Sequence, residues 1–136
     1  MKKIILASAT ALLLLTGINH AYAEKLDAAA IKALFIGKTV TSYHTRKDFD
    51  VKAYYDPDGT VYGIRDDSIW QRHWEIRDDG NICIIYKERD KEFCRIIKKI
   101  DGKYYKYKVK GNGNEIRVIE YRQFEDGNTE NYKWVE

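Results

Sequence analysis

Three hydrophobic rhythms succeed one another along the chain. An apolar run from Ile4 to Leu15 comes first, then alanines with Ile31, Leu34 and Phe35 at helical spacing, and from Lys38 onward a period of two that persists. The middle segment predicts one helix over about residues 27–36, with Asp27 as its N-cap and Gly37 where a left-handed C-terminal cap belongs. The period-two region predicts strands at Lys38–Thr45, Phe49–Tyr55, Thr60–Arg65, Ile69–Arg77, Ile82–Lys87, Phe93–Ile100, Lys103–Lys110, Glu115–Phe124 and Glu130–Val135. Between them stand marked turns: Asp56-Pro57-Asp58-Gly59, Asp78-Asp79-Gly80-Asn81, Asp101-Gly102 and Gly111-Asn112-Gly113-Asn114.

Connections this short force neighbouring strands to pair antiparallel. The expected fold is therefore mainly β: an antiparallel up-and-down meander of eight to nine strands forming a small barrel, with a sandwich as the alternative and the helix covering one end. Four-residue turns at Pro57 and Asp78 set the expected faces. They group Val51, Ala53 and Tyr55 with Thr60, Tyr62 and Ile64, and Trp74 and Ile76 with Cys83, Ile85, Cys94 and Ile96. Gln71, His73 and Glu75 fall on the wet face. Residues 24–136 make one domain, large enough for a single core and too small for two.

The opening apolar run changes the compartment. Lys2 and Lys3 before it and Ala21-Tyr22-Ala23 after it are the marks of a cleaved signal peptide over residues 1–23, and the run falls short of the ~20 apolar residues of a membrane span. The mature protein is expected to be periplasmic or secreted, with no transmembrane segment. Lys2 and Lys3 leave with the leader and no acidic residue does, so the formal charge drops from +3 to +1. That removes the main argument for a nucleic-acid partner. In an oxidising compartment the only two cysteines, Cys83 and Cys94, are expected to form a disulfide across the hairpin that the charged turn Lys87-Glu88-Arg89-Asp90 closes. A redox role is disfavoured, because no C-x-x-C motif is present.

Catalytic equipment is thin. His44 and His73 lie on different strands, no His, Cys, Asp or Glu set has metal-ligand spacing, and Ser42 and Ser68 have no nucleophile context. Asp66-Asp67 and Asp78-Asp79 suit turns, and Gly111-Asn112-Gly113 is a hairpin turn rather than a phosphate cradle. No catalytic residue, metal or cofactor is expected. The aromatics are more informative: eleven tyrosines, three tryptophans and four phenylalanines, of which only Tyr22 leaves with the leader. They either fill the barrel or line a wet cavity at its mouth. The candidate ligand-binding residues are Trp70, Trp74, Tyr105 and Tyr107, with Arg72 on the face of the two tryptophans as a buried cation in need of an anion. Along Lys98 to Lys110, where lysines alternate with tyrosines, the lysines are expected on the wet side.

Leu34 to Val40 with Gly37-Lys38-Thr39, Tyr55-x-x-Asp58-Gly59-Thr60, Trp74-x-Ile76-x-x-x-Gly80-x-x-Cys83 and Cys94 together resemble a family of small secreted bacterial β-domain proteins of unknown function. The resemblance implies an exported β domain and carries no activity. A fainter likeness, by fold analogy, is to periplasmic inhibitors of proteases or lysozyme. The expected function is that of a non-enzymatic periplasmic or secreted binding protein for a small ligand or protein partner; inhibition of a hydrolase is the alternative.

Overall fold

The computed structural model describes residues 23–133; the expected signal peptide, but for Ala23, and the last three residues of the chain lie outside them. After a short strand β1 (Glu24–Lys25) comes the helix α1 (Ala28–Phe35), then β2 (Lys38–His44), β3 (Phe49–Tyr55), β4 (Thr60–Arg65), β5 (Ser68–Ile76), β6 (Ile82–Tyr86), β7 (Lys91–Ile100), β8 (Lys103–Val109) and β9 (Glu115–Asp126). Strands β2 to β9 pair antiparallel in chain order. β9 returns to β2 and closes an eight-stranded barrel, while β1 adds an extra strand on β7. The expected strand at Glu130–Val135 does not form over its described part; Tyr132 instead folds back, its hydroxyl donating to the Lys52 carbonyl at 3.0 Å. Among the described residues no helix is long and apolar enough to cross a membrane.

The helix forms where its cap and apolar face place it. Asp27 accepts from the Ala30 amide at 2.8 Å, and Ile31 and Phe35 are fully buried. Phe35 is the plug: its ring meets Tyr55, Tyr121 and Phe124 edge-on at 5.0, 5.1 and 5.4 Å. Around it Val40, Val61, Trp74, Ile82 and Ile97 fill the α1 end of the barrel. The opposite end, where the β2–β3, β4–β5, β6–β7 and β8–β9 connections lie, has no such plug among the described residues.

Two expected face assignments are inverted, for one reason. At Pro57-Asp58-Gly59 and Asp78-Asp79-Gly80 the connection is one residue shorter than a four-residue turn: Asp56 pairs with Thr60 and Arg77 with Asn81. Gly59 (φ +92°) and Gly80 (φ +80°) make this possible by adding a left-handed residue after the turn. A shift of one residue exchanges the faces of a strand. Hence Ala53 and Tyr55 are opposite Gly63 and Val61, and Trp74 and Ile76 are opposite Ile84 and Ile82. Cys83, Ile85, Cys94 and Ile96 therefore face outward, not inward with Trp74. The disulfide itself forms as expected, joining directly paired residues of β6 and β7 whose Cα atoms are 4.1 Å apart.

Candidate cavity at the open end of the barrel

A cavity of about 700 Å³ opens at the end away from α1. Its floor is the top of the core at Val40, Ala53 and Tyr55; Phe49, Trp70, Tyr86, Phe93 and Ile119 form apolar and aromatic walls. Its polar lining is lopsided: Lys47, Arg65, Arg72, Arg95 and Lys106 against the single carboxylate of Asp66, which stands at the rim with its side chain almost wholly in solvent. Two bulges in β9 shape this wall. One extra residue between the partners of Thr41 and Ser42, and another between those of Lys106 and Tyr107, bend the strand and bring Val118 to the cavity.

The sequence-derived candidates divide. Trp70 and Arg72 line the cavity. Trp74 faces inward but lies in the packed core, its indole N–H donating to the Asp56 carbonyl at 3.0 Å. Tyr105 and Tyr107 do not share the interior. They pack outside with Ile96, where the Arg117 guanidinium lies 3.8 Å from the Tyr105 ring centroid and donates to the Tyr107 hydroxyl. Register explains the correction: Ile97, a core residue, pairs with Lys106, so Lys106 points inward and its tyrosine neighbours outward. The alternation along β8 is thus the reverse of the expected one at Lys106. Lys106 and Arg95 are the site residues that sequence reasoning missed.

Several cations on the outer surface have carboxylate partners, whereas those around the cavity lie against aromatic rings. On the outer surface Lys52 meets Glu130 at 2.5 Å, Arg77 meets Glu92 at 2.5 Å, Arg122 meets Asp50 at 3.1 Å, and Lys38 and Lys98 pair with Asp126 and Glu115. Around the cavity Arg65 lies over Phe49 (4.8 Å), Arg72 over Tyr86 (4.5 Å), Arg95 over Phe93 (5.6 Å) and Lys106 over Tyr121 (5.8 Å). A cation–π contact is worth on the order of 0.5 to 2 kcal/mol, less than the several kcal/mol needed to desolvate a charge. Among the described residues Arg72 and Arg95 each donate only to the carbonyl of the preceding residue, Gln71 at 2.7 Å and Cys94 at 2.9 Å. The Arg72 Nε, His44 Nδ1 and Tyr121 hydroxyl are buried without partners among the described residues.

These surroundings act on the titratable groups in one direction. Burial, with Arg95 adding repulsion, lowers the Lys106 ammonium to about 8, and burial lowers Arg95. His44 is also lowered, by burial first and then by Lys47 and Lys106. The walls are largely apolar and aromatic and the charged donors are cationic, an arrangement that can hold an anionic or apolar molecule. Among the described residues no group of three or more His, Cys, Asp or Glu side chains could hold a metal ion.

No protein-family model, curated protein or solved structure matches the chain.

Proposed function

We propose that the protein is a non-enzymatic, periplasmic or secreted binding protein that takes a small, largely apolar ligand into the open end of its barrel. The observation that carries this reading is the cavity of about 700 Å³, closed at the α1 end by Phe35 and open at the other. Its size falls within the ~300 to 1,000 Å³ usual for small-molecule sites. An eight-stranded barrel has room for one such ligand when its interior is not completely filled. The Cys83–Cys94 disulfide is compatible with an oxidising compartment outside the cytoplasm. A cavity, rather than a filled barrel with a projecting rigid loop, favours a ligand over the inhibition of a hydrolase.

Native mass spectrometry of protein recovered from its own cellular compartment tests the reading. The expected result is a retained small molecule, released on denaturation. In parallel, the neutral fluorophore N-phenyl-1-naphthylamine should bind and accept energy from Trp70. A bare-chain mass together with no binding of the fluorophore to the mature protein sinks the proposal.

A further inference from the structure

Lys106 is 93% buried, yet its ammonium has no hydrogen-bond or ion-pair partner among the described residues. Arg95 stands beside it. Ile97 is the direct partner of Lys106, and Arg95 lies two residues away on the same face of β7, which makes the two cations diagonal neighbours on adjacent strands. His44 approaches from the other side, since His44 and Lys106 are both partners of Ile119. The interior thus gathers two like charges and a histidine on one wall without a carboxylate. Lys52, Arg77 and Arg122 on the outer surface pair with acids, whereas these two cations face the cavity. Buried charges need a counter-charge, and the described residues supply none beside Lys106 and Arg95.

Aromatic rings stand next to these cations: Phe93 lies two residues before Arg95 on β7, and Phe49 is the direct partner of His44. Together with Trp70 and Tyr86 they present rings to the cavity, and offer mainly hydrocarbon contact, apart from the Tyr86 hydroxyl and the Trp70 indole N–H. On the reading that this cavity is a ligand site, we propose that its ligand is an amphiphilic acid: one carboxylate or phosphate head held by Lys106 and Arg95, with an apolar body against the aromatic wall. The guanidinium offers two parallel donors and the ammonium a movable third, a set that fits the oxygens of either head group. Bringing an anion to Lys106 also favours its charged form, so binding is coupled to proton uptake at alkaline pH.

Isothermal titration calorimetry on the mature protein with decanoate, decyl phosphate and decanol, at one ionic strength and pH 7, tests the inference. At least one of the two acids is expected to bind tenfold or more tightly than the alcohol, and the tighter of the two identifies the head group. Lys106→Met should reduce that preference to within about threefold and leave decanol unchanged; Arg95→Met supplies the same comparison should the first variant fold poorly. Acid affinity should fall between pH 7 and pH 9.5 as Lys106 loses its proton, while decanol affinity stays level. Decanol binding as tightly as both acids overturns the anionic head and leaves the cavity as a ligand site. Failure of all three to bind, when the neutral fluorophore does bind, overturns the amphiphilic acid alone; failure of every probe overturns both proposals.

Discussion

Trp70 occupies the space that a side chain at Gly63 would need: a Cβ built on Gly63 would lie 2.2 Å from Cζ2 of the indole and 2.4 Å from Cε2. The two residues are direct partners across β4 and β5. Gly63 has no left-handed backbone to justify it, so glycine serves here for close approach alone. The indole covers the missing side chain and in doing so becomes part of the cavity wall.

Gly63→Ala is therefore expected to act through Trp70. A methyl group at this position forces the indole to move, and overpacking of this kind costs about 1 to 3 kcal/mol. Urea unfolding should show that loss together with a shift in tryptophan emission. In the Gly63→Ala/Trp70→Ala double variant the loss should be well below the sum of the two single ones, because the clash has gone. Additive losses would show that the ring is not what the methyl meets.

Lys106→Met should make the unliganded protein more stable. The substitution keeps most of the length of the side chain and removes a buried charge that has no counter-ion among the described residues. A gain of about 2 kcal/mol is expected at pH 7, seen as a rise of several degrees in Tm. An unchanged or lower Tm would mean that the ammonium is already compensated within the fold.

Stability of the wild type should rise with pH above about 8. Lys106 holds its proton less tightly in the folded protein, where its pKa is about 8, than in the unfolded chain, where it is 10.5. Below the lower value both states are protonated and the penalty is complete; between the two values the folded state alone has lost the proton, so the penalty is relieved as pH rises. The full relief is on the order of 3 kcal/mol, and about 2 of it should appear by pH 9.5. Tyr55 and Tyr121 oppose this only at higher pH: burial raises both, so their ionisation destabilises the fold from about pH 10 upward. His44, lowered by burial, adds a loss of stability as pH falls below its ordinary value of 6.5. Denaturant titrations at pH 7, 8, 9 and 9.5 should trace the Lys106 rise in the wild type and a level line in Lys106→Met.

The barrel was legible because its signals are local. Asp27 and Phe35 mark the helix, and the Asp-Gly turns mark the ends of strands. The orientation of the strands was not, because it hangs on one residue in a turn. Whether Pro57-Asp58-Gly59 or Asp56-Pro57-Asp58-Gly59 forms the connection decides which face of β4 is dry, and both are sound turn sequences. Arg72 and Trp70 were found because both lie on one strand, where alternation alone relates them. Lys106 was missed because its tyrosine neighbours look like the drier set; Tyr105 and Tyr107 find their apolar contacts outside, against Ile96 and under Arg117. The pairing of Lys106 with Ile97 reveals this, and pairing is a property of two strands together.

Loss of the disulfide should loosen one arm of the barrel rather than the whole. β8 pairs with β7 only over Ile96–Ile100, so Lys91–Arg95 is held on its β6 side alone. Cys83–Cys94 staples that single ladder from outside, beneath Arg77, whose guanidinium lies 3.4 Å from the Cys94 sulfur and bridges to Glu92. Closing so short a loop contributes about 2 to 3 kcal/mol by restricting the unfolded chain. In a Cys83→Ala/Cys94→Ala variant that much global stability should be lost. Beyond it, hydrogen exchange should quicken most in residues 91–95, since local opening there breaks the fewest strand contacts. Phe93 and Arg95 belong to this arm and to the cavity wall, so ligand affinity should fall with it. Uniform loss of protection in β2, β3 and β9, with residues 91–95 no worse than the rest, would show that the staple acts on the unfolded chain alone.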